Sequence, residues 1–374
     1  MSIIHLKPVN ERKIRMAYNN DVIRFYSDSA SEPAYCDIIA NGLDVRLYPD
    51  PMGNFFFNFR PYISALINTQ NFEDTIVAGL YTSDPHTFAY DYTSAIYLEK
   101  NVVIKIVDSN SVEDQASYNL KWIAGAEQIG NYSEVDSQGL FVLSPLATVD
   151  STYLKYWQGY PFDIPFYSYE SEVKISNDTN LLEQTFSELN FVTRLFVSDG
   201  RTDETLEDLL PLMEGHNNIV VGNSAHKFYL TLEKVPYTCG AYLKWLNKYG
   251  GYNYWLFEDT FSVDRSLKNI GELSSDNDNI ENSFARTLQI GKESQDIMRL
   301  VAELLTEEER RVVEGIFDSP KIYLFTGKPF ARAFPNSWTE VSLRTSNVRL
   351  KNAKHPLTNF VIDIELPQRY TQTL

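Results

Sequence analysis

Cysteine is almost missing from this chain of 374 residues, which carries only Cys36 and Cys239, far apart. Two cysteines cannot make a disulfide scaffold, and no C-x-x-C pair exists to start a zinc ribbon. Because Cys is among the most buried residue types, two buried free thiols are the expectation. Histidine is sparse as well. His5, His86, His216, His226 and His355 form no H-x-H or H-x-x-x-H spacing, so no zinc centre is expected. Basic charge is in short supply: 33 Lys and Arg stand against 50 Asp and Glu, a net charge of -17. Gripping nucleic acid takes clustered Lys and Arg on phosphates, and no basic block is present. An acidic surface fits solubility, or a conduit to which DNA does not stick. Long apolar runs are absent too. Nothing approaches the ~18 residues of a membrane helix, and MSIIHLKPVNERKI lacks the apolar centre of a signal peptide. The chain is therefore expected to stay in the cytoplasm where it is made, or to leave inside a larger assembly. The sequons at Asn131 and Asn177 then carry no meaning.

Catalytic signatures are missing in the same way. There is no G-x-S-x-G and no phosphate-binding G-x-x-x-x-G-K-[ST]. Gly250-Gly251 has no partner glycine and no helix behind it. Asp276-Asn277-Asp278-Asn279 opens like a calcium loop. It then puts Ile280 at a ligand position, Glu281 at the turn glycine and Thr287 at the bidentate glutamate, so it reads as a solvated loop. A glycoside hydrolase needs two carboxylates across a cleft. Glu258 and Asp259 are the nearest candidates, and a turn at a strand end explains them more simply. No catalytic, cofactor-binding or metal-binding residue is assigned, and no cofactor is expected.

Aromatics are what the chain has in quantity: 24 Tyr, 22 Phe and 5 Trp. With β-branched residues they favour strands. VIRFY (22–26), DIIANGLDVRLYP (37–49, with the hairpin signal Asn41-Gly42), TIVAGLYTS, TFAYDYTSAIYL, NVVIKIVD and GLFVLSPL are short strand-like runs separated by turn residues. FFFNFRPYISALINT runs from a strand into a short helix. Pro161 and Pro165 push their strand toward an edge or a bulge. A polar stretch over 172–190 marks a boundary, giving an N-terminal β-sandwich domain, 1–178, and a C-terminal β-domain, 179–374. In the second half Ile297, Leu300, Val301, Leu304 and Leu305 recur at helical spacing, and Thr306 with Glu309 forms a capping box. A helical insert over about 293–317 is expected there.

The densest aromatic stretch is CGAYLKWLNKYGGYNYWLF (239–257). Alternation puts Tyr242, Lys244 and Leu246 on one face and Leu243, Trp245 and Asn247 on the other. Past the glycines, Tyr252, Tyr254 and Leu256 oppose Asn253, Trp255 and Phe257. With Gly250-Gly251 as a two-residue turn, the arms form an aromatic hairpin. Trp157 and Tyr160, in the faintly similar YLKYWQGY (153–160), join Trp245, Tyr252, Tyr254, Trp255 and Phe257 as candidate core or interface aromatics. The alternative is a Tyr/Trp platform for sugar rings, as in a carbohydrate-binding or receptor-adhesion protein.

Four stretches together, VRLYPDPMGNFFFNFRPYISALI (45–67), YLKYWQGYPFDIPF (153–166), the 239–257 stretch and SPKIYLF…SWTEVSLR…KHPLTNFVIDIELP (319–367), resemble structural virion proteins of tailed bacteriophages of Bacteroidetes-type hosts. The second half also resembles the tail-tube-like β-barrel of tube, distal-tail and hub proteins, which is interrupted by one helical element. Tube proteins are usually much shorter. The resemblance implies a mainly β fold of two sandwich or barrel domains and a non-enzymatic tail or baseplate component located in the virion. It implies a ring of identical copies with other tail proteins as partners, and DNA at most passing through a lumen. It carries over no catalytic residue.

Overall fold

The fold is described from a computed structural model. It describes residues 2–69, 74, 76, 88–128, 135–148, 151–201, 207, 210–258, 261–274, 281, 287–352 and 355–373. Strands dominate, in five sheets whose strand orders all have two free ends. The mainly β expectation holds, and none of the five sheets closes into a barrel.

Near the N-terminus, Ile3–His5, Val22–Ser27 and Phe55–Asn58 make a three-stranded antiparallel sheet. A five-stranded sheet follows, in the order Ile14–Met16, Glu113–Ile123, Tyr97–Asp108, Pro33–Ala40, Leu43–Leu47. Asn41-Gly42 turns the last two strands, with Ala40 opposite Leu43 and Gly42 at φ +85°. Only glycine takes that conformation without a Cβ penalty. The expected short helix is Arg60–Asn68. Pro61 fits its first turn, and Ile63 and Ile67 face the core.

A four-stranded sheet runs Leu140–Val142, Pro161–Ser168, Val192–Asp199, Ala89–Asp91, and a six-stranded one contains Ser151–Trp157, Lys227–Val235 and Val173–Asn177. Both take strands from either side of residue 178. Pro161 and Pro165 sit in an interior strand, but the Leu140–Val142 neighbour pairs only with 166–168, and a bulge falls between Phe162 and Asp163. The missing proline N–H groups therefore cost little ladder there.

The seven-stranded sheet has the order Tyr252–Glu258, Gly240–Leu246, Ile322–Phe325, Trp338–Leu343, Thr358–Glu365, Thr287–Leu305, Phe261–Ser274. It corrects the helical insert. Residues 293–305 belong to one long strand, Thr287–Leu305, and only Glu307–Val313 is α-helix, followed by a 3-10 turn to Asp318. The capping box is present: the Thr306 hydroxyl accepts from the Glu309 N–H, and the Glu309 carboxylate accepts from the Thr306 N–H. The helical spacing misled because both faces of the strand carry apolar residues. Met298, Leu300 and Ala302 alternate inward, while Ile297 and Val301 lie on the opposite, half-buried face and Leu304 is exposed. Pairing with Thr358–Glu365 decides the outcome, with Ile362 opposite Leu300 and Ile364 opposite Met298. One continuous apolar core joins residues of all five sheets. Among the described residues, no helix is long and apolar enough to cross a membrane.

Candidate functional site

The aromatic stretch forms the expected hairpin, in a register three residues away from that of a two-residue Gly250-Gly251 turn. Lys244 lies opposite Tyr254 and Tyr242 opposite Leu256, with Leu243 opposite Trp255 on the other face. The turn differs from the expected one. The strands end at Leu246 and Tyr252, and residues 247–251 make a longer loop closed by Asn247 N–H to Gly251 O and Gly250 N–H to Asn247 O. Gly250 is needed at φ +85°, and Gly251 because a Cβ there would lie 2.6 Å from the Leu143 carbonyl oxygen. The glycines let the loop pack against the chain.

The structure places Trp157, Tyr160, Trp245, Tyr252, Tyr254, Trp255 and Phe257 all inside the chain. Trp157 meets Trp255 edge to face at 5.0 Å, and Tyr160 packs on Tyr242 at 4.6 Å. Trp122 is buried too, and the fifth tryptophan, Trp338, is half-buried over the Lys244 ammonium at 4.3 Å. A ligand platform needs an open ring face, and none of these seven residues offers one. Glu258 ends its strand exposed, while Asp259 lies outside the described residues, as does most of the calcium-like loop. Of the two thiols Cys36 is buried, its pKa pushed up to about 12 by burial, whereas Cys239 is exposed, contrary to expectation.

Beneath the hairpin lies a charge cluster that motif reading missed. Asp163 and Arg194 come from paired strands of the four-stranded sheet, and Lys244 and Tyr254 from the hairpin. Asp74 completes the cluster. Arg194 donates Nη1 to Asp74 Oδ1 at 2.7 Å and Nε to Asp163 Oδ2 at 2.8 Å, and Lys244 Nζ reaches Asp74 Oδ2 at 2.5 Å. The Tyr254 hydroxyl donates to Asp163 Oδ2 at 2.9 Å. Burial alone would raise the Asp74 pKa, but the charges of Arg194 and Lys244 outweigh it and hold the carboxyl below its ordinary value. Burial pushes Asp163 up, against the pull of Arg194. Burial lowers Lys244, partly offset by Asp74. Two carboxylates facing two cations are balanced in charge. The space among the described residues around them is about 20 Å³, far below the several hundred Å³ of a small-molecule pocket. The cluster is suited to holding Asp74 and two sheets in register. The signal was present: a charged residue, Asp163, Arg194 or Lys244, lies in the middle of each of the largely apolar strands PFDIPFYS, VTRLFVSD and GAYLKWL.

The surface feature that stands out is the edge of the seven-stranded sheet. Phe261–Ser274 pairs on one side with Thr287–Leu305, and among the described residues no strand pairs with its other side. The buried sheet face continues onto it. Phe261 lies opposite Leu300 and Val263 opposite Met298, yet they are 43% and 50% exposed, and Leu267 is 59% exposed. Arg265 on the same face is held by Asp296 through bonds of 2.6 and 3.1 Å. An uncovered edge strand with an apolar face is a template for another chain. No group of three or more metal-ligating side chains occurs among the described residues.

No family model and no characterised protein matches the sequence. Solved structures that align include the fibronectin(III)-like modules of Clostridium thermocellum CbhA, at 7% identity and TM-score 0.20, over 63% of this chain and 94% of that one. The teleost fish polymeric Ig receptor ectodomain aligns at 9% identity and TM-score 0.21, over 60% and 96%. A 1.5-MDa bacterial ice-binding adhesin aligns at 7% identity and TM-score 0.18, over 75% and 85%. At these scores the alignments carry no argument about this chain's fold or role.

Proposed function

We propose that the chain is a non-enzymatic structural component of a phage tail or baseplate, built into a symmetric ring of identical copies. The resemblance of its four sequence stretches to virion proteins supplies the setting. The uncovered edge strand Phe261–Ser274 is the observation that carries the assembly. Its outer side pairs with no strand among the described residues, and it carries the apolar side chains of Phe261, Val263 and Leu267, which a neighbouring copy would remove from water. The virion is the location, other tail proteins the further partners, and the net charge of -17 keeps DNA from adhering to a lumen lined by acidic side chains.

The test is the mass and negative-stain image of the purified protein, alone and in particles, beside a Val263→Lys/Leu267→Lys variant. Closed rings from the parent and smaller assemblies from the variant are expected. A parent chain that stays monomeric at every concentration and is missing from particles would overturn the reading. A basic lumen in the assembled ring would overturn the role of the charge.

A further inference from the structure

The geometry points to a second copy of this chain as the occupant of the edge strand, paired antiparallel about a two-fold axis at Ser266. This rests on the reading that the edge mediates assembly, and it adds the partner and the register. In an antiparallel pair directly opposed residues share a face, so a strand meeting its own copy is governed by which residue sits on the axis. An axis at Ser266 places Asp264 opposite Lys268 of the second copy, and Lys268 opposite its Asp264. Moving the axis to Asp264 or Lys268 sets like charges against each other. Moving it to Arg265 sets guanidinium against guanidinium, and an axis at Leu267 leaves Asp264 facing Ile270.

Both charges are available. The Lys268 side chain is 82% exposed, and its ion pair with Glu293 is long at 3.9 Å and itself exposed. Asp264 is exposed, and the nearby Arg299 is already held by Asp363 through bonds of 2.8 and 3.0 Å. The other face agrees with the same register. Val263 becomes the diagonal neighbour of the second copy's Leu267, and Leu267 lies opposite the second copy's Arg265, whose guanidinium is held by Asp296, so the face bearing Met298 and Leu300 meets apolar side chains across the seam without an unpaired charge. The pairing ends where the ladder breaks, at the irregularities around Asn269, Gly271 and Glu272. A two-fold contact closes on itself. Combined with a separate ring contact it joins two rings face to face.

The experiment uses the full chain with Cys239→Ser. Sedimentation velocity compares it with Lys268→Asp, Asp264→Lys and the double exchange. Each single exchange replaces two attractive cross-strand contacts with two repulsive ones, so association should weaken about tenfold or more, and the double exchange should restore it. Under mild oxidation Ser266→Cys should cross-link to itself and Ser262→Cys should not. Failure of the double exchange to rescue, or self-linkage at 262 instead of 266, would overturn this pairing. If rings still formed, the structural-component reading would stand. A monomeric parent would overturn both.

Discussion

Arg194 and Asp74 face each other through two parallel hydrogen bonds, Nη1 to Oδ1 at 2.7 Å and Nη2 to Oδ2 at 3.1 Å, with both side chains almost wholly out of solvent. Removing one member of such a pair strands the other. Asp74→Ala leaves the Arg194 and Lys244 charges facing each other in the interior, where breaking a buried pair costs about 3–5 kcal/mol. The expected result is a fall of that size in urea-unfolding free energy at pH 7. A loss below about 1 kcal/mol, the range of exposed pairs, would show the cluster to be solvated.

The same carboxylate sets a pH window. Its folded-state pKa is depressed, with Arg194 and Lys244 outweighing burial. Its stabilisation is therefore complete above the unfolded value of about 3.9 and is lost as pH falls below it. Asp163, raised by burial, works in the opposite direction, so whole-protein stability does not isolate the effect. The difference between parent and Asp74→Asn does. That difference should be large at pH 7 and should shrink as pH falls from about 4 toward 2. A difference flat across that range would remove Asp74 from the acid response.

His5 gives a second, milder titration. Its ring lies against Phe25 and Tyr118, Nε2 is 2.7 Å from the Tyr118 hydroxyl, and Nδ1 has no partner among the described residues. Burial lowers its pKa. A lowered histidine favours the neutral form in the fold, so its contribution is full above about pH 6.5 and declines as pH falls below that. Amide exchange in Ile3–His5 and its partner Val22–Ser27 should speed up between pH 7 and 5 once corrected for intrinsic rates. His5→Phe should remove the change, and a persistent change in that variant would place the titrating group elsewhere.

These residues also show where sequence reading stops. The Asn41-Gly42 hairpin, the Thr306–Glu309 capping box and the faces of the 239–257 hairpin were legible because each depends on neighbours within a few positions. Thr287–Leu305 was not. Its apolar spacing suits a helix as well as a strand with two apolar faces, and its partner Thr358–Glu365 lies far along the chain. The loop at 247–251 was misread as a two-residue turn because what requires its glycines, Ala124, Leu143 and Pro165, comes from distant segments. The charge cluster gathers Asp74, Asp163, Arg194 and Lys244 in the same way. A charge inside a largely apolar strand was its trace in the sequence. The edge strand was hidden among polar residues, because exposure is not a property of the sequence alone.

The glycine loop offers a test that separates backbone cost from contact. Gly250 and Gly215 share nearly the same positive φ, +85° and +84°. A Cβ at Gly215 would meet nothing within 4 Å, whereas at Gly250 it would lie 2.8 Å from the Ala124 carbonyl oxygen and 3.2 Å from Ile96 Cδ1. Gly215→Ala should therefore cost only the left-handed penalty, about 1–2 kcal/mol. Gly250→Ala carries that penalty plus the displacement of the backbone at Ala124. Urea midpoints at matched slopes should place Gly250→Ala clearly below Gly215→Ala, by a further ~1 kcal/mol or more, the scale of an overpacked core site. Equal midpoints would mean that the loop moves away from Ala124 freely. The hairpin end would then not be fixed against the five-stranded sheet by its glycines.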